Sequence, residues 1–230
     1  MQPKVSTIGA DDDLARKIEE LQRELSEAHR REAATAEVLK LISRSPNELQ
    51  PVFETVVRNA TALCGSLFAH VFRFDGELLH FAASSVSTPE FLQAIQKLYP
   101  MRPNVSQVSG RAILNRDVAR IEDALQDPQY DTRLTILVGQ RSMLSVPMLL
   151  EGRAIGAIVV GWADPGPIPK DQEALLRTFA DQAVIAIENA RLFEAEQTHT
   201  RELIERTREL SQTLEYQTAT SEVLNVISRS

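Results

Sequence analysis

Between Asp171 and Ser230 the sequence holds neither proline nor glycine. Sixty residues without a breaker exceed an ordinary globular helix, so the pattern predicts one helix from Asp171 to Ser230, organised as a coiled coil. Its seam after Leu203 runs through Arg206, Leu210, Thr213, Gln217 and Thr220 to Leu224 and Ile227. Polar residues at half of these positions make a weak seam, and weak seams change register or rotation at little cost. A second unbroken stretch precedes Pro46, with Asp12 or Asp13 as its cap. Here Leu14, Ile18, Leu21, Leu25 and Ala28 recur at spacings of 4, 3, 4 and 3, an a/d seam that calls for a partner helix. Glu32 and Thr35 interrupt it, and Leu39 and Ile42 resume it. Glu19–Arg23 and Glu27–Arg31 add i,i+4 pairs in the favourable order.

The two stretches are related. AATAEVLKLISRS at 33–45 and TATSEVLNVISRS at 218–230 agree at nine of thirteen positions, at an offset of 185 residues. The same offset aligns Glu24-Leu25-Ser26 with Glu209-Leu210-Ser211, and Arg16 with Arg201. A period of that size is a domain plus its linker, too long for a solenoid repeat. The expectation is a chain cut where a second copy of the domain would begin. Residues 1–11 read as a disordered lead-in, 12–45 as a coiled-coil signalling helix, 46–196 as the globular domain, and 197–230 as a coiled-coil linker merging into the first helix of a second repeat.

Between the long helices the period changes. A helix is expected over about Leu49–Leu63, with Val52, Val56, Ala60 and Leu63 on one face. LFAHVFRFDGELLHFAASS reads as two strands joined at Asp75-Gly76. Thr88-Pro89-Glu90 starts a helix that runs to about Leu98, before Pro100 and Pro103. SGRAILNR predicts a short helix capped by Ser109, VARIED a short strand, DPQYD a turn, and Asp131–Val138 another helix. RSMLSVPMLLEGRAIGAIVVGWA is a second hairpin turning at Glu151-Gly152. Its strands are apolar on both faces at many positions, so they belong in the middle of a sheet. Hairpins with helices segregated beside them make an α+β domain.

Bulk properties bound the function. A net charge of −7, with basic residues scattered among acids, lacks the footprint of a nucleic-acid or anionic-membrane binder. No apolar run is long enough to span a membrane, and no stretch near Met1 suits a secretory signal. A single cysteine, Cys64, suits a reducing compartment. The chain is therefore expected to be cytoplasmic. No P-loop, HExxH or GxSxG pattern is present, and no phosphoacceptor box or cyclase core, so the chain is read as non-catalytic.

In order and spacing, LQPVFETVVRNATALC, VFRFDGELLHFAA, SGRAIL, RSMLSVPMLLEGRAIGAIVV and LLRTFADQAVIAIENARLFE resemble a GAF domain. The resemblance is to the tandem type of bacterial sensor histidine kinases and nucleotide cyclases, and covers about Ala33 to Glu196. It implies a central antiparallel sheet with terminal helices over one face and a ligand pocket over the other. It implies a sensory or regulatory module, and the a/d spacing adds the expectation of a parallel homodimer through Leu14–Ala28 and the C-terminal helix. That module would relay a small-molecule or conformational signal to a downstream GAF repeat and an output domain, a histidine kinase of a two-component phosphorelay. Two alternatives stay open: a structural dimerisation module whose vestigial pocket is filled by Phe68, Phe72 and Tyr99, and the regulatory part of a cyclase.

The resemblance also frames the candidate pocket residues, Phe68, His70, Phe72 and Arg111. Phe68, His70, Phe72 and Phe74 share one face of their strand. Phe72 aligns with the tyrosine that some bilin-binding relatives present to the pocket, so His70 is placed beside it. The other reading of His70, favoured here, is a buried neutral histidine satisfied by a hydrogen bond; His80 is read as structural. Arg111 follows Gly110 at a helix N-terminus, where it either helps hold an anion or pairs with an acid. Cys64, at the end of the second helix, is misplaced for a covalent bilin, which is not expected; nor is haem. Methionine sulfoxide reduction needs more than one cysteine. Of the cyclic-nucleotide signature only Ile168 and Asp171-Gln172-Glu173 remain. The ligand itself is left open.

Overall fold

The computed structural model describes residues 8–44 and 49–227. Pro46 lies outside them, as do residues 1–7 and the last three of the C-terminal repeat. So do the side chains of the seam residues Leu14, Leu39, Ile42, Leu224 and Ile227. The chain runs α1 (Ile8–Arg44), α2 (Leu49–Cys64), β1 (Phe68–Phe74), β2 (Leu79–Ser84), α3 (Pro89–Leu98), α4 (Val108–Asn115), β3 (Ala119–Ile121), α5 (Arg133–Val138), β4 (Ser142–Leu150), β5 (Arg153–Trp162) and α6 (Lys170–Ile227).

The first helix starts at Ile8, upstream of the expected caps, and takes in residues 8–11, which were read as disordered. The last helix is continuous over 58 residues.

All strands are antiparallel, in the order β2-β1-β5-β4-β3. The second hairpin is central as expected: β5 is the middle strand and β4 lies beside it. Its turn is tight because Glu151 and Gly152 both take positive φ, 50° and 76°. Pro147, inside β4, is tolerated because β3 pairs only with Met143–Ser145. Beyond them β4 is an edge, where a missing N–H costs no ladder bond.

Alternation along the strands divides the apolar residues into two cores. Ala69, Val71, Leu144, Val146, Ile158 and Val160 join Val52, Phe53 and Val56 of α2, Val38 of α1, and Leu176 and Phe179 of α6. Phe68, Phe72, Met143 and Val159 point to the other face, under α3 and α4. One face of the sheet is therefore closed by the terminal helices. The other is roofed by short helices and loops.

Candidate functional site

The roofed face encloses a small cavity. β1 supplies its aromatic floor because Phe68, His70 and Phe72 are two residues apart on one strand. The His70 ring is stacked between two phenylalanines: Phe68 at 4.2 Å and Phe91 of α3 at 5.1 Å, both at 15° between planes. Burial pushes its pKa from 6.5 down to about 3, partly offset by the Ala69 backbone, so the imidazole is neutral. Nδ1 makes no hydrogen bond of ordinary geometry, so the bond expected of a structural histidine rests on no more than a weak contact with the Ala69 backbone.

Two short helices frame the opposite wall. The sequence predicts an α4 that starts at a Ser109 cap; it starts two residues earlier, with Gln107 as N-cap. Val108 is buried in the roofed core, which draws the helix start upstream. Ser109 is thereby carried inside the helix, where its hydroxyl lies 3.2 Å from that of Tyr99. The segment expected to be helical from Asp131 becomes helical only at Arg133, because the Asp131 carboxylate accepts the Arg133 backbone N–H at 3.1 Å. Gly139, at φ 85°, ends α5 and turns Gln140 inward. The Tyr130 hydroxyl donates to the Met143 sulfur at 3.3 Å, and Gln140 Nε2 donates to Thr135 Oγ1 at 3.4 Å.

The enclosed volume is about 30 Å³. That holds roughly one or two waters. The wall contains no Lys, Arg, Asp or Glu, and burial raises the hydroxyl pKa of both Tyr99 and Tyr130. The site is therefore an uncharged, aromatic chamber with a few polar atoms.

Of the residues proposed from sequence, Phe68, His70 and Phe72 come together in this wall, and Arg111 does not. Its guanidinium grips Asp127 through both Nη atoms, at 2.5 and 3.0 Å, while Nε donates to the Val105 carbonyl at 2.6 Å. Arg111 holds the Asp127 carboxyl below the usual carboxylate range. The pair clamps the 122–131 segment, and with it Tyr130, onto α4; Arg141 clamps the start of the same segment through Asp123. Gly110 lets α4 press on the 104–107 loop, which Arg111 also holds at Val105, since a Cβ there would lie 2.2 Å from the Asn104 carbonyl oxygen. Cys64 lies on the helix-covered face, its thiol pushed up to about 12 chiefly by burial.

Gln107, Gln140, Phe91 and Tyr130 escaped the sequence reading. Phe91 and Ile95, four apart on α3, were a legible apolar stripe. Nothing local marks either glutamine as buried.

A wider open groove of about 970 Å³ runs past both hairpin turns. Its charges are spent on one another, as Glu77–Arg102 and Glu188–Arg191, so it offers no single sign to a ligand. Among the described residues no cluster of His, Cys, Asp and Glu could hold a metal, and no helix is long and apolar enough to cross a membrane.

The sequence pattern of the GAF domain matches residues 47–188. Among solved structures, the chain is similar to the GAF domain of a phosphoenolpyruvate-protein phosphotransferase from Coxiella burnetii, at 17% identity and TM-score 0.60, covering 73% of this chain and 98% of that one. It is similar to a GAF domain/HD domain protein from Geobacter sulfurreducens, at 19% identity and TM-score 0.56, covering 64% and 97%. A domain assigned to a two-component sensor histidine kinase protein from Sinorhizobium meliloti matches at 15% identity and TM-score 0.53, covering 66% and 98%. No curated protein matches the chain.

Proposed function

From the premise that this chain belongs to the GAF domain family, we propose that it is a cytoplasmic sensory module that dimerises through its long helices. It relays the state of the cavity through α6 to a downstream domain, a second GAF repeat followed by a histidine kinase output. The domain limits proposed from sequence follow: signalling helix 12–45, sensory domain 46–196, linker and next repeat 197–230.

The observation that carries this reading is α6. Its first third is embedded in the domain: Leu176, Phe179, Ala180, Ala183 and Ala190 are buried. Further on the same helix projects, with Leu203, Leu210 and Leu214 more than half exposed. Ile18, Leu21 and Leu25 of α1 are about half exposed. Apolar seams of this kind are covered in a parallel coiled-coil pair. The cavity is linked to α6 through the thickness of one sheet. Met143 and Val159 face the cavity, while their strand neighbours Leu144, Ile158 and Val160 support α6. A second link runs at the edge, where Arg120 of β3 pairs with Glu173 and Arg177 bridges Glu173 and Asp117. In this reading Arg111 is a positioning residue, and Phe68, His70 and Phe72 touch the ligand.

The decisive experiment is on helix phase. An α-helix turns about 100° per residue. Deleting one residue near Thr200, in a chain that carries its output domain, should lock output on or off. Deleting seven keeps the heptad phase, shortens the rod by about 10 Å, and should leave regulation largely intact. Output indifferent to phase means a flexible tether and ends the relay reading. The dimer is checked separately: Leu21→Asp with Leu25→Asp should yield a weaker dimer by light scattering at micromolar concentration.

The small cavity favours a second reading, a structural dimerisation module with a vestigial pocket. It predicts the same dimer but no small-molecule binding at all.

A further inference from the structure

Three polar atoms in the cavity wall have no partner: His70 Nδ1, Gln107 Nε2 and Gln140 Oε1. They come from β1, from the N-cap of α4, and from the residue that follows the terminal glycine of α5. All three residues are more than nine-tenths buried. A buried polar atom left without a partner is destabilising. Three around one cavity call for a common partner.

Their settings support this. The Gln107 side chain makes no bond to its own helix and lies in the cavity wall. Gln140 is held by Thr135 through one end of its amide, so whichever way the amide is turned one polar atom remains. The rest of the wall is mainly apolar, with Phe68, Phe72, Phe91 and Tyr99 as its main surfaces and the Tyr99, Ser109 and Tyr130 hydroxyls engaged within the wall. It has no cation to balance an anion, since Arg111 is committed to Asp127 outside the wall. Bringing a bare charge into such surroundings is prohibitive.

We propose that the cavity takes a small, uncharged, planar molecule that presents a hydrogen-bond donor beside an acceptor, of the amide, lactam or azole class. This names the ligand class of the sensory site and rests on that reading. The donor meets the free glutamine oxygen or the imidazole nitrogen, the acceptor meets the glutamine NH₂, and the ring face lies against the aromatic wall. Entry displaces one or two waters and moves the thinnest part of the roof. That part is α5, six residues long, with Ile136 80% and Leu137 43% exposed, which lines the cavity only through Val138.

The test uses the full chain, with 2-pyrrolidinone and pyrazole as neutral probes and acetate and inorganic phosphate as charged ones. Binding is followed by amide chemical shifts. The neutral probes should shift the Val138 and Gln140 resonances at millimolar concentration, and the charged probes should leave them still. Gln107→Leu and Gln140→Leu should each weaken neutral binding at least tenfold, with Tm lowered by no more than a few degrees. Acetate or phosphate in the cavity, unaltered neutral binding in the double variant, or no neutral binding by wild type at up to 100 mM each overturns the proposal. The last two outcomes, combined with phase-dependent output, remove the ligand class and leave the relay. Neutral binding with phase-independent output does the reverse.

Discussion

Met143 and Leu144 are adjacent on β4 and almost equally buried, at 1% and 0% exposure, yet they face different chemistry. Leu144 points into aliphatic packing between the sheet and the terminal helices. Met143 points into an aromatic chamber, takes a hydrogen bond from Tyr130, and borders free volume. Unpartnered side-chain atoms also occur at Ser66, Ser145, Gln172 and Gln182, but none of these residues lines the cavity. Those on α6, Gln172 Oε1 and both ends of the Gln182 amide, border no shared cavity, whereas the three on the roofed face surround one free volume. The roofed face keeps polar atoms available at a cost in stability, which is the usual signature of a site and not of a core.

The strongest way to break this contrast is to cut matched holes in the two faces. Phe179 on α6 and Phe91 on α3 are both 1% exposed. Phe179→Ala should lower unfolding free energy by about 3–5 kcal/mol, because an aliphatic hole stays empty. Phe91→Ala should cost about half as much, since the polar chamber beside it admits water to the new space. Urea unfolding with matched m-values measures both. Equal losses would mean that the two faces are packed alike.

Next in size is Gly110→Ala. The new Cβ would meet Asn104 backbone oxygen and nitrogen at 2.2 and 2.7 Å, and neither is a flexible group. A loss of about 1–3 kcal/mol is expected. The resonances of Arg111 and Asp127 should move with it, because α4 must retreat from the loop it clamps. An unchanged Tm would show that this part of the roof is already loose.

The buried imidazole gives a pH test specific to the roofed face. The folded pKa of His70, about 3, is below its ordinary 6.5. Above pH 6.5 both folded and unfolded histidine are neutral and the group contributes no slope. As pH falls below 6.5 the unfolded state takes up a proton that the folded state refuses, so stability falls by roughly 1 kcal/mol per pH unit. Asp123 and Asp127 are held low by Arg141 and Arg111, so their contribution begins to fall only as pH passes down through the usual carboxylate range and is gone below their lowered folded values. His70→Phe should flatten the wild-type slope between pH 6.5 and 4.5, whatever its effect on the absolute level. A parallel slope in the variant would place the imidazole in contact with water.

The elements of the helix-covered face were legible because each carries a period. α2 shows its stripe at Val52, Val56 and Ala60, and α6 has no breaker. The hairpin at Glu151-Gly152 carries its turn chemistry in plain view. The floor of the cavity was legible for the same reason, Phe68, His70 and Phe72 lying on one strand face. The roof was not. Its helices are six to ten residues long, too short for periodicity to fix their start, so one polar side chain or one buried valine moves the boundary. Ser109 looked like a cap and is buried; Gln107 looked like loop and is the cap residue. Arg111 could either hold an anion or pair with an acid, and the choice was not legible because its partner Asp127 is sixteen residues away in a turn that sequence cannot place in space.

The smallest expected effect is the most discriminating. Gln107→Leu replaces a buried amide whose Nε2 has no partner with an apolar group of similar size. The backbone carbonyl of residue 107, which accepts the Arg111 N–H at 3.0 Å, is untouched by the change. Removing an unsatisfied polar atom relieves a penalty, while the helix loses no side-chain cap because none was made. Stability should therefore stay within about 1 kcal/mol of wild type, on the favourable side if the cavity is dry. A helix-face truncation of equal buried size, by contrast, is always a loss. If Gln107→Leu instead costs several kcal/mol, the amide is already hydrogen-bonded through an ordered water, and the polar atoms of the chamber serve the fold before they serve a ligand.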